Sequence, residues 1–154
     1  MSCGHHKHSR QDCVCDAVRA IKEAQDAVDR KGNCTNSCFQ NLLKPNGRQL
    51  DTIPFMLKDK TGKLFWGTGG LSVHDHDVFH TVFFRVEHIY KDGCCATLSL
   101  LRPDKDLSFD KCCVDPHSLD SVKSLKQTGD CIEVDLNCFC AIQCLDPRLL
   151  DANC

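Results

Sequence analysis

Glycine and proline are scarce, 9 and 5 in 154 residues, which excludes a collagen-like or a Pro/Gly-rich disordered chain. Charge of one sign is scarce too: 19 basic against 21 acidic side chains leave a formal net charge of -2. A chain so balanced offers no global field to nucleic acid or to an anionic membrane. No apolar run is long enough to cross a bilayer. Met1-Ser-Cys-Gly-His-His-Lys-His8 has no apolar stretch of the signal-peptide kind, so synthesis in a reducing cytosol is expected. Cys-x-x-Cys is absent, and with it the usual motif of a thiol oxidoreductase. Also missing are a phosphate-binding glycine loop, a serine-centred elbow and a paired-carboxylate motif. Gly67-Thr-Gly-Gly70 lacks the lysine and following helix of a phosphate loop and reads as a loop or bulge. No specific signal points to an enzyme.

Cysteine is what the chain has in excess, 14 residues of 154. That density normally marks a secreted disulfide scaffold or a metal site. Combined with cytosolic synthesis it leaves three outcomes. The thiols bind metal, they carry out redox chemistry, or they oxidise later inside an assembly.

Residues 1–11 read as a flexible His-rich arm and residues 12–154 as a single domain, with no internal repeat and no linker. A helix is predicted from Asp12 to Arg30, with Asp12 as N-cap and Gly32 as C-cap. Val14, Val18, Ile21, Gln25 and Val28 share one stripe, with Arg19, Lys22, Glu23, Asp26 and Arg30 opposite. From Ile53 onward the pattern is β. Pro54–Leu57 and Leu64–Trp66 flank a turn that places Gly62 in a left-handed position. Thr81–Tyr90 and Cys94–Leu101 form a second hairpin across Lys91-Asp-Gly93. Cys131–Leu145 alternates so that Ile132, Val134, Leu136, Cys138, Cys140, Ile142 and Cys144 share a face, a long strand with room for a bend or bulge. The fold class is α+β, mainly β: an antiparallel sandwich or open barrel led by one amphipathic helix.

Most cysteines come in close pairs whose geometry diverges. Cys13 and Cys15 point to opposite sides of a helix, and Cys94 and Cys95 to opposite faces of a strand. Cys138 and Cys140 share a face, near the limit of the about 4.4–6.8 Å Cα separation a disulfide prefers. Cys3, Cys13, Cys15 and Cys154, on polar segments near the termini, are the leading candidates for bonds between subunits. Cys34 and Cys38 join them, although a helical turn there would set these two side by side. Cys94, Cys95, Cys112, Cys113, Cys131, Cys138, Cys140 and Cys144 are assigned to core packing or internal disulfides, since buried cysteine commonly acts as a small hydrophobe.

Zinc is the main rival. Cys34-x₃-Cys38 is one possible knuckle, without a second at a typical distance. His5, His6 and His8, with His74, His76 and His80, offer nitrogen ligands, yet His-rich segments are commonly solvated. The alternative function is a cytosolic zinc-binding module. No metal site or cofactor is assigned.

Several blocks together resemble a known family. They are Met1–Gly4, Asp12–Val18, Asp51–Phe55, Val82–Glu87, Cys95–Pro103 and, most specific in its cysteine spacing, Cys131–Leu145. On these blocks the chain is similar to the spore coat proteins Y and Z, with the related exosporium protein ExsY, and nearest to the Y type. The resemblance implies a structural component of the spore coat or exosporium, made in the mother cell. It implies self-assembly into a hexagonal, disulfide-reinforced sheet. Its partners would be further copies of itself, as a hexameric lattice, and other cysteine-rich coat proteins, with no nucleic acid and no membrane insertion.

Overall fold

In the computed structural model, residues 13–29, 51–74, 76–91 and 93–150 are described. The expected arm over 1–11, both helix caps, the Cys34/Cys38 turn and the C-terminal Cys154 lie outside them.

Helix α1 spans Cys13–Asp29. Its stripe is built as the spacing requires: Val14, Val18, Ile21 and Gln25 are all buried. In folded proteins a helix draws most of its stability from packing an amphipathic face rather than from propensity, so the stripe's burial is what holds α1. Gln25 adds a polar clamp. Its Nε2 donates to the Val86 carbonyl at 2.9 Å, and its Oε1 accepts from the Ile53 amide at 3.2 Å.

The strands are β1 (Phe55–Asp59), β2 (Gly67–Gly69), β3 (Phe79–Thr81), β4 (Phe84–Ile89), β5 (Cys95–Pro103), β6 (Phe109–Asp110), β7 (Cys113–Val114), β8 (Leu125–Asp135) and β9 (Phe139–Cys144). A short helix, α2 (Pro116–Leu119), follows β7. Five strands form the main antiparallel sheet in the order β8-β5-β4-β1-β9. Strands β2 and β3 pair with each other, as do β6 and β7. The β1 turn is closed by Asp59, whose carboxylate accepts from the Thr61 and Lys63 amides, and Gly62 sits at φ 85°.

The expected strand Cys131–Leu145 is two strands, β8 and β9, parted by a 3-10 turn at Leu136–Cys138. Asp135 starts that turn by accepting from the Asn137 amide at 2.9 Å. The chain thereby passes from one edge of the sheet to the other. Across a flat sheet those edges would lie about 19 Å apart, whereas four residue steps reach about 14 Å at most. The sheet must therefore curl, and it does so without closing into a barrel. Thr81–Tyr90 is likewise interrupted: Thr81 Oγ1 donates to the Leu101 carbonyl and accepts from the Phe83 amide, splitting β3 from β4.

One core lies inside the curl, under α1: Phe55, Leu57, Phe84, Val86, Leu98 and Leu100 with the helix stripe. A second forms on the other face, where Val82, Phe83, Leu101 and Leu125 meet Leu107 and Val114. Each such large side chain contributes about 1.5–3 kcal/mol by leaving water. Gly67–Gly70, read as a loop or bulge, instead supplies β2, because only a glycine at 69 leaves room for the Phe79 ring.

Candidate functional site

The chemistry of this molecule is its thiols, and the fold distributes them. Cys15, 2% exposed, is bonded to Cys94 with a Cα–Cα distance of 5.7 Å. This link ties α1 to the residue just before β5, across 79 positions of sequence. Arg19 reinforces the same junction by donating to the Gly93 carbonyl. Beside the disulfide, a cavity of about 240 Å³ is lined by Cys13, Val14, Leu136, Phe139 and Cys140. Cys13, at the start of α1, is exposed.

The edge strands carry further thiols. Cys144 stands opposite Phe55 in the register, on the helix side of the sheet, but the edge position leaves it exposed. Partial burial of its sulfur still pushes the thiol pKa up. Cys140 donates its S–H to the Asp59 carbonyl at 2.9 Å. At the opposite edge, Cys131 of β8 stands opposite Ser99 of β5, and Cys95 opens that neighbouring inner strand, opposite Asp135. Both are exposed. The Cys131 thiol is pushed up by burial and then by the neighbouring carboxylates of Glu87, Glu133 and Asp130. Cys138, in the 3-10 turn, is exposed as well.

Cys112 and Cys113 have a different setting. The β6–β7 hairpin turns on Lys111 and Cys112, with Lys111 at φ 58°, a left-handed conformation unusual for a lysine. The two sulfurs lie 3.6 Å apart. Lys63, delivered by the β1 turn, approaches Cys112 Sγ to 3.7 Å, and Trp66 Nε1 donates to the Cys112 carbonyl at 3.1 Å. Trp66 in turn meets His80 edge-on and packs at a tilt against Phe109. A hydrogen bond from Cys113, then the Lys63 charge, lowers the Cys112 pKa, while Cys113 is pushed up by the same pairing.

The comparisons decide what kind of protein carries this surface. The family model described as spore coat protein Z matches residues 1–147. The chain belongs to that spore coat family. It is 39% identical over 148 residues to spore coat protein Z of Bacillus subtilis (strain 168), covering 90% of this chain and 92% of that protein. No solved structure matches. The match reaches the Y/Z family as a whole.

In this spore coat protein the cysteine assignment needs two corrections. Cys15, expected to join subunits, is internal, because it falls three residues before Val18 and so on the buried stripe rather than beside Cys13. Core packing fails for Cys138, Cys140 and Cys144, and for Cys95, Cys112 and Cys131, all of which are exposed. The 3-10 turn breaks the alternation at Cys138, while Cys140 and Cys144 lie on an uncovered edge. Cys113 is half-buried, and Cys94 is the partner of Cys15. Cys3, Cys34, Cys38 and Cys154, with His5, His6 and His8, lie outside the described residues. His74, His76 and His80 are exposed, and His80 Nδ1 meets Thr68 Oγ1 at 2.9 Å. Lys63 and Trp66 were invisible as neighbours of Cys112, since nothing local in sequence joins the two turns.

Proposed function

We propose that this structural component of the spore coat assembles into a two-dimensional hexagonal lattice reinforced by disulfides between subunits. The observation that carries the reading is the spread of the exposed thiols over the fold. Cys13 and Cys140 flank one cavity, Cys144 lies on the β9 edge, Cys131 on the β8 edge with Cys95 on the adjacent strand, and Cys112 on a hairpin tip, so several contacts per subunit could be linked. The internal Cys15–Cys94 bond holds the fold without using any of them. A closed sheet of identical subunits needs repeated interfaces, and a disulfide across each makes separation a chemical step rather than a dilution. The hexagonal symmetry rests on the family resemblance. So do the other cysteine-rich coat proteins as partners, an outer coat or exosporium position, and synthesis in the mother cell. The role is structural and not enzymatic.

Purified protein should form ordered arrays in the electron microscope and run as high-mass species on gels lacking reductant. A chain that stays monomeric after oxidation, with no arrays, ends this reading. Among the described residues no group of three or more His, Cys, Asp or Glu side chains is placed to hold a metal, so the zinc alternative gains no geometric support.

A further inference from the structure

We propose that the β6–β7 hairpin tip is a thiol-exchange site at which Cys112 accepts a mixed disulfide from a disulfide-bearing reagent or partner, with Cys113 and Lys63 as positioning residues. Four features converge on Cys112. It is exposed, it occupies the apex of a two-residue turn, a lysine ammonium stands 3.7 Å from its sulfur, and a second thiol lies 3.6 Å away. A thiolate, not a thiol, attacks a disulfide, and a nearby cation favours it. Trp66 holds the turn's carbonyl, so the sulfur is presented from a braced backbone. The hydrogen bond with Cys112, then burial, keeps Cys113 a thiol that can donate to Cys112, and the Asp110 charge adds a smaller push in the same direction.

The step is balanced by the incoming disulfide. The Cys112 thiolate attacks one of its sulfurs, a Cys112 S–S bond forms, and the original S–S bond breaks. The departing thiolate takes the electron pair and gains a proton from water. Cys112 is oxidised and one half of the reagent is reduced. Cys113 is poorly built to expel the attached group. Adjacent Cα atoms are about 3.8 Å apart, short of the roughly 4.4–6.8 Å that a disulfide prefers. The mixed disulfide therefore persists until an external thiolate attacks Cys112 Sγ and releases the small thiol. In the lattice that thiolate belongs to a second copy; this last assignment alone rests on the proposed function.

The test uses the full chain with Cys15–Cys94 intact, given a short pulse of oxidised glutathione near pH 7 and then mapped by mass spectrometry. Cys112 should be modified about fivefold or more faster than Cys131 and Cys144 in the same molecules. Lys63→Met should reduce the Cys112 rate several-fold, Lys63→Arg should restore it, and neither should alter the other thiols. A trivalent arsenical, which bridges two nearby thiols, should bind at the Cys112/Cys113 pair and lose that binding in Cys113→Ala. Equal modification of Cys112, Cys131 and Cys144, or a Cys112 rate indifferent to Lys63→Met, overturns the proposal. The readout is monomer chemistry, so a chain that reacts at Cys112 yet never assembles sinks the lattice reading alone.

Discussion

At the scale of single residues, the buried polar group matters as much as the thiols. Gln25 is 2% exposed and bonds two elements at once, the Val86 carbonyl in β4 and the Ile53 amide before β1. Gln25→Leu keeps the apolar stripe but leaves a buried acceptor, the Val86 carbonyl, and a partly buried donor, the Ile53 amide, without that partner. Since each unsatisfied group costs about 1–3 kcal/mol, the variant should lose about 2 kcal/mol or more in urea unfolding. Lys111 makes the opposite case. Its φ of 58° is costly for a side chain with a Cβ. Lys111→Gly should raise stability by about 1 kcal/mol in thermal or chemical unfolding. The pulse modification of Cys112 should be unchanged, because Lys63 and not Lys111 is the cation at its sulfur.

At the scale of elements, the Cys15–Cys94 bond and the glycine that follows β2 set how the pieces are joined. The bond closes a loop of 79 positions, for which the chain-entropy treatment gives about 4.5 kcal/mol. Cys15→Ala and Cys94→Ala should each lower the melting temperature by the same amount, and the double variant by no more than either. A larger loss in the double variant would mean that the surviving thiol has another role. Gly70, at φ 76°, would place a Cβ 2.0 Å from the Asp77 carbonyl oxygen. Gly70→Ala should cost about 2 kcal/mol or more, through both the left-handed backbone and the clash. These joints are what the sequence hides. The helix stripe through Gln25, the Gly62 turn and the β4–β5 hairpin were legible, because period and turn residues are local signals. The expected strand Leu64–Trp66 was not formed: Leu64 makes one bridge to Lys58, and β1 pairs instead with β4 and β9. The break at Leu136–Cys138 was not legible, because β8 and β9 each keep an alternating pattern and the turn depends on one carboxylate, Asp135. Cys15 was misread for a related reason. Its place near the chain's start suggested the surface, whereas its position on the helix wheel put it inside.

At the scale of the whole molecule, the separation of an internal disulfide from outward thiols predicts that folding and cross-linking can be uncoupled. Replacing Cys13, Cys95, Cys112, Cys131, Cys140 and Cys144 together by serine touches only exposed positions. Exposed substitutions of this kind usually change stability by less than about 0.5 kcal/mol each, so the variant should fold and melt cooperatively with Cys15–Cys94 in place. If noncovalent contacts build the sheet and these thiols lock it, the variant should still form arrays that vanish on dilution. Oxidised wild-type arrays should survive both dilution and detergent without reductant. Electron microscopy before and after dilution, beside gels with and without reductant, separates the two behaviours. Arrays of the variant that remain covalently linked would move the inter-subunit bonds to Cys3, Cys34, Cys38 or Cys154, or to Cys113 and Cys138. The six outward thiols would then be left as surface chemistry rather than as the seams of the shell.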